Sequence, residues 1–155
     1  MGNIKAKTLL EQLGFVDIDK KNLNHDKIQT WVYDNFETVF YDLFSKDNPI
    51  KIAKKIWEFD ISKIAYNGVQ IVGFIDLVFE CDYIKEYTKR NVYVEIKTAI
   101  PSVGELLRQL KAYKTYLGLH YTDKFIVVCP DDTYEKIIKE QGYFFYKYKD
   151  PSKLF

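Results

Sequence analysis

The chain has 155 residues, enough for one domain with a buried core and too few for two comfortable ones. Hydrophobic residues make up 47% and aromatics 17%, which argues against wholesale disorder. The formal net charge of +1 excludes a globally basic or acidic character, so any polyanion site must be built from local charge.

In chain order, the first candidate element is a short helix from Ile4 to Leu13, stopped by Gly14. Asn24 opens a longer helical pattern. Ile28, Trp31, Val32, Asn35, Phe36, Val39, Phe40 and Leu43 recur at spacings of three and four, and Asn48-Pro49 ends the run. The period then changes to two. Ile52 to Ala65 reads as a strand with Ile56, Glu58 and Asp60 on one face and Trp57, Phe59 and Ile61 on the other. Asn67-Gly68 is a hairpin signal. Val69 to Glu80 follows as a nearly continuous apolar strand, and the polar stretch Asp82 to Asn91 loops to a third strand, Val92 to Thr98. Ser102 with Glu105 has the form of a capping box, and Gly118 closes the helix that it opens. Phe125 to Cys129 has the composition of a buried strand. Thr133 to Gln141 reads as a short helix, and Tyr143 to Lys149 as an edge strand. This order predicts a single α/β domain, a mixed sheet covered by helices on an α-β-β-β-α-β core.

Cys81 and Cys129 have neither CxxC spacing nor a histidine pattern for zinc, and read as buried thiols. There is no apolar run of membrane-spanning length. The N-terminus has no signal-peptide core. Met1-Gly2 is followed at position 6 by Ala6, where a myristoylation signal carries Ser or Thr. The expectation is a cytoplasmic protein with no membrane association.

The chemistry-bearing residues concentrate between positions 73 and 116. Alternation on the third strand sends Glu95 and Lys97 to one face and Val94, Ile96 and Thr98 to the other. A strand this apolar puts both charges at a partly buried place, which is costly unless they are paired or bound to a metal. Asp76 ends the Gly73-Phe74-Ile75-Asp76 run on the preceding strand. If the two strands are neighbours, Asp76 and Glu95 converge. Converging carboxylates are stable around a divalent cation such as Mg²⁺, with Lys97 beside it to stabilise an attacking hydroxide or a crowded phosphorane. A second acid-x-Lys triplet, Asp19-Lys20-Lys21, lies in a polar stretch without a strand around it. On the capped helix, Gln109 and Tyr113 share a face and can present to the metal site or to a DNA backbone. Arg108, Lys111 and Lys114 take its outer surface, and Tyr116 flanks its apolar stripe. Lys51, Lys54 and Lys55 lie around the start of the first strand, and Lys147 and Lys149 in the tail. Tyr143 to Tyr146 suit either base stacking or a lysine-guarded edge strand.

At these residues the chain resembles the RecB-like nucleases of the PD-(D/E)XK superfamily. Gly73-Phe74-Ile75-Asp76, Glu95-Ile96-Lys97 and Gln109-Leu110-Lys111-Ala112-Tyr113 reproduce the group's GxxD, ExK and QxxxY in order, over roughly residues 52 to 118. The resemblance implies a restriction-endonuclease-like three-layer sandwich and an Mg²⁺- or Mn²⁺-dependent deoxyribonuclease. Asp76, Glu95 and the Ile96 carbonyl would be metal ligands, and Lys97 would position or activate water. Gln109 and Tyr113 would orient the site or touch DNA, with Arg108, Lys111 and Tyr116 as further contacts to nucleic acid. Glu58 matches an acid on the preceding strand that is common in the group and joins the metal-ligand candidates. An upstream helical ligand is also implied, with His25 and Glu37 both open. The expected partner is single- or double-stranded DNA, together with a protein partner for so small a nuclease, and the chain is a monomer or a homodimer. Four alternatives stay open: a structure-specific endonuclease such as a Holliday junction resolvase, a restriction-type enzyme, a non-catalytic nucleic-acid-binding or inhibitor module on the same fold, and a purely structural α/β domain with an accidental motif.

Overall fold

The computed structural model describes residues 8–9, 23–66, 68–118 and 123–153. The expected helix from Ile4 to Leu13 lies almost wholly outside them, as does Asn67 of the hairpin turn. In order, the elements are α1 (Leu23–Asp34), α2 (Phe36–Phe44), β1 (Ile50–Ala65), β2 (Gly68–Tyr83), β3 (Thr88–Ile96), α3 (Val103–Leu117), β4 (Lys124–Cys129), α4 (Glu135–Glu140) and β5 (Phe144–Lys147). A 3₁₀ turn, Pro151–Lys153, follows. The five strands form one mixed sheet in the order β1-β2-β3-β4-β5. The first three pair antiparallel, and β4 and β5 run parallel to β3. Each parallel step is made through a crossover helix, α3 and then α4, as parallel pairing requires.

The local signals act where they occur in the chain. Gly68 at φ 117° starts β2 directly opposite Ala65. Ser102 Oγ accepts the Glu105 N–H at 3.2 Å and starts α3. Gly118, at φ 59° and ψ 47°, ends it in the left-handed conformation that glycine adopts without a Cβ clash.

The long helical pattern is not one helix. It breaks at Asn35 (φ −120°, ψ 27°), whose side-chain amide turns back to the Trp31 carbonyl at 2.9 Å. An asparagine that bonds the backbone locally competes with helix continuation. Beyond the break, Phe36 and Phe40 of α2 are fully buried, and Phe36 stacks on Phe79 at 3.7 Å. Burying one such ring contributes about 1.5–3 kcal/mol.

The sheet separates two cores. On one side α1 and α2 bring Ile28, Val32, Phe36 and Phe40 onto Leu77, Phe79, Val94 and Ile96. On the other, α3 and α4 bring Leu106, Leu110, Tyr113 and Ile138 onto Ile75, Val78, Tyr93 and Val127. These memberships correct the expected faces of β1. Ile56, Phe59 and Ile61 all pack on the α3 side, so alternation slips between Ile56 and Phe59. Glu58, at φ 54°, sits at the slip. The left-handed residue marks the change of side-chain phase without a change of register, since Trp57↔Leu77 and Phe59↔Ile75 stay in step. The same slip occurs across the rung on β2, where Ile75 and Val78 share the α3 side and Leu77 faces α1.

Candidate active site

β2 and β3 pair from Tyr83↔Thr88 as far as Leu77↔Val94, and there their ladder stops. β3 continues beyond this point on β4 alone, through Glu95↔Val127 and Ile96↔Val128, and Lys97 N–H reaches the Val128 carbonyl at 2.9 Å. The two strands therefore part at a defined rung. Extending the register by one step puts Asp76 opposite Glu95.

Beyond the parting, the edge of β3 that faced β2 needs new partners, because buried peptide groups are costly when unpaired. Asp76 supplies one: its Oδ2 accepts the Ile96 N–H at 2.7 Å. The slip in β2 accounts for this reach, since it takes Asp76 out of regular alternation at the rung where the strands separate. The N–H and C=O of one strand residue leave on the same edge, so the Ile96 carbonyl faces the gap too.

Three ionisable side chains on these neighbouring rungs are all buried: Asp76 is 1% exposed, Glu95 0% and Lys97 8%. Tyr93 packs on the α3 side and Val94 and Ile96 on the α1 side. Alternation therefore directs Glu95 and Lys97 toward α3. Taking an acid, a second acid and a lysine out of water within two rungs opposes folding unless they are compensated by one another or by a ligand.

Helices close on the rung from both faces. From one side, the first turns of α1 bring His25 Nε2 to 3.3 Å from Asp76 Oδ2. One turn on, Gln29 Nε2 donates to the Asp76 carbonyl at 2.8 Å. Both side chains are buried, at 2% and 1% exposure. His25, rather than Glu37, is thus the upstream residue brought to Asp76. Glu37 is exposed and lines a groove of about 820 Å³ with Asp34, Lys51, Lys54 and Lys55. From the other side, α3 buries Gln109 and Tyr113, joined by a Gln109 Nε2 to Tyr113 Oη hydrogen bond of 3.0 Å.

The remaining sequence candidates lie farther out. Glu58 is on the rung opposite Asp76, between Trp57↔Leu77 and Phe59↔Ile75, but is exposed. Arg108, Lys111 and Tyr116 are exposed on α3, and the Tyr116 ring lies 5.4 Å from Lys63 Nζ. Lys55 is held structurally: its Nζ donates to the Tyr33 carbonyl at 2.7 Å near the end of α1. Sequence reasoning missed Gln29. Its signal was a polar residue four positions after His25, next to the apolar stripe Ile28, Val32, Phe36.

Around the parting the available donors are the carboxylates of Asp76 and Glu95, the Ile96 carbonyl and the His25 imidazole. Among the described residues, no group of three or more His, Cys, Asp or Glu side chains is placed to hold a metal ion. Mg²⁺ does not need one: it takes one or two protein carboxylates and completes its shell with water and phosphate oxygens. Hard oxygens with one imidazole also suit Mn²⁺. In chemical type, though not as a preassembled group, these donors suit such an ion.

No protein-family model matches this chain, and comparison with curated proteins and with solved structures returns no match.

Proposed function

We propose that this chain is a metal-dependent DNA nuclease of the PD-(D/E)XK type, RecB-like, on a restriction-endonuclease-like sandwich. One observation carries the reading. Asp76, Glu95 and Lys97 are buried together at the rung where β2 and β3 part, with the Asp76 carboxylate on the Ile96 N–H. A structural sheet has no need of two acids and a lysine at that depth; hydrolysis of a phosphodiester does.

Asp76, Glu95, the Ile96 carbonyl and His25 would hold Mg²⁺ or Mn²⁺, which supplies Lewis-acid polarisation of a phosphoryl oxygen. The protein groups do the rest. The Ile96 N–H fixes the Asp76 carboxylate, so its geometry is set before substrate arrives. Lys97 brings a cation to the α3 side of the rung, where it stabilises negative charge growing on the phosphoryl oxygens and orients the attacking water. Its burial strengthens that interaction, because little solvent screens it. The Gln109–Tyr113 pair braces α3 where it packs on this side of the sheet. Arg108 and Lys111, exposed on the same helix, offer contacts to flanking phosphates, and binding through them falls as salt rises. Among the described residues no helix is long and apolar enough to cross a membrane.

The test is cleavage of labelled linear single-stranded, linear double-stranded and closed-circular DNA, with Mg²⁺, Mn²⁺ or EDTA, by wild type, Asp76→Ala and Lys97→Ala. Metal-dependent cleavage that both variants lose supports the reading, and sparing of circles makes the enzyme an exonuclease. A wild type that neither cuts any substrate nor binds Mn²⁺ in calorimetry overturns it in favour of a non-catalytic module.

A further inference from the structure

The described contacts of Asp76 do not end at its carboxylate. The ladder to β3 stops one residue before it, at Leu77↔Val94, and a buried carbonyl beside such a break needs a donor. Gln29 supplies it from another layer of the molecule, 47 residues away in the chain, at 2.8 Å. His25 reaches the same residue from the preceding turn. Asp76 is therefore gripped twice by α1, backbone by Gln29 and carboxylate by His25, while Ile96 holds the carboxylate from the sheet.

α1 is itself anchored away from the site. Val32 is fully buried in the core beneath it. At its far end the Tyr33 carbonyl takes the Lys55 ammonium at 2.7 Å. On its outer side Lys27 Nζ meets Asp150 Oδ2 at 2.8 Å. A side chain on an anchored helix that bonds the backbone of a reacting-site acid sets where that acid sits.

From this we infer that Gln29 is a positioning residue: it fixes the Asp76 main chain at the parting of β2 and β3 and thereby the placement of the Asp76 carboxylate toward metal and phosphate. The inference rests on the nuclease reading above. It makes the chemistry depend on an amide that touches neither metal nor DNA. Outer residues that orient ligands commonly alter metal affinity or activity 10- to 100-fold on mutation.

The experiment compares Gln29→Met, which keeps length and volume but removes the donor, with Gln29→Asn, which keeps the amide on a shorter stem. Val32→Ala serves as a control that loosens the same helix without touching Asp76. Each variant whose circular dichroism matches wild type is assayed for kcat and KM on a labelled oligonucleotide and for Mn²⁺ binding by calorimetry, well below its Tm. Gln29→Met is expected to lower kcat roughly 10- to 100-fold and to weaken Mn²⁺ binding, leaving KM for DNA within about twofold. Gln29→Asn should fall between it and wild type, and Val32→Ala should keep kcat despite a lower Tm. If wild type cuts DNA and Gln29→Met or Gln29→Asn matches it in kcat and Mn²⁺ affinity, the positioning role is overturned and the nuclease reading stands. If Val32→Ala loses as much kcat as Gln29→Met, the effect belongs to helix stability and the role is likewise overturned. If wild type neither cuts nor binds Mn²⁺, both readings fall together.

Discussion

At the closed end of the β2–β3 pair, Arg90 Nη2 lies 2.6 Å from Glu86 Oε2, with side chains 20% and 47% exposed. At the open end, His25 Nε2 lies 3.3 Å from Asp76 Oδ2, with side chains 2% and 1% exposed. Both contacts join a carboxylate to a basic group, yet they differ in kind. The first is local, solvated and beside a turn where the ladder is complete. The second joins two layers at the rung where the ladder fails. Water screens the first more than the second, so the pair beside the turn is the more dispensable of the two. On the proposed nuclease reading, the buried charge lies at the end of the strand pair assigned to the chemistry, and the more accessible charge at the other.

The largest effect that would break or sharpen this contrast is expected at Asp76. Asp76→Ala removes the acceptor of the Ile96 N–H and the partner of His25, and should cost about 3 kcal/mol of stability in urea titration. Metal-dependent cleavage should fall by about 10³-fold or more. Asp76→Asn keeps an acceptor for Ile96, so it should lose comparable activity with a much smaller loss of stability. If the two variants lose activity to different extents in proportion to their stability, the site is structural rather than chemical.

Next comes the α3 wall. Tyr113→Phe deletes the hydroxyl that accepts from Gln109 in a buried place, and should cost about 1 kcal/mol. Activity should drop about tenfold, through a less firmly braced α3. Equal activity at reduced Tm would confine the pair to packing.

A smaller effect lies at the clasp between α1 and the C-terminal segment. The Lys27 ammonium, joined by the Ser152 hydroxyl and N–H, holds the Asp150 carboxyl well below the usual carboxylate range. A depressed carboxylate stabilises the fold above its unfolded pKa and ceases to do so as pH falls through its folded value. The Lys27 ammonium is shifted the opposite way, upward, chiefly by its bond to Asp150. Its contribution is complete below the unfolded lysine pKa and is lost in strong alkali. Asp150→Asn should therefore unfold at lower temperature than wild type at neutral pH, and the gap should close as pH drops below about 4. A gap that persists in acid would show that the clasp acts through packing instead of charge. Least of all, Glu86→Gln at the closed end should change stability by no more than about 0.5 kcal/mol, with any difference vanishing in high salt.

Much of this arrangement was legible in the residues, and the parts that were not share a cause. The start and stop of α3 were written locally, in Ser102 and Gly118, because capping is a matter of neighbouring peptide groups. The break at Asn35 escaped periodicity because Phe36, Val39 and Phe40 continue the same spacing on the far side of it. The phase slip at Glu58 and Asp76 was hidden for a related reason: alternating sequence shows no trace of one residue entering the left-handed region. His25 and Glu37 stood equal as upstream candidates, since each is a single polar residue on a helix. Only packing against β2 separates them, burying one against Asp76 and leaving the other on a groove.

By itself, the sequence determined the order of the five strands and of the helices between the last three, the α/β class, and the placing of Glu95 and Lys97 on one side of β3. These follow from period-two and period-three-to-four patterning, which acts within a few residues. Tertiary structure alone decided the rung at which β2 and β3 part, the turn of Asp76 onto the Ile96 N–H, and the grip of His25 and Gln29 on Asp76. Those contacts join groups 20 to 51 residues apart in the chain. No local pattern encodes such a meeting, because it is set by the competition among all ways of burying the same surface.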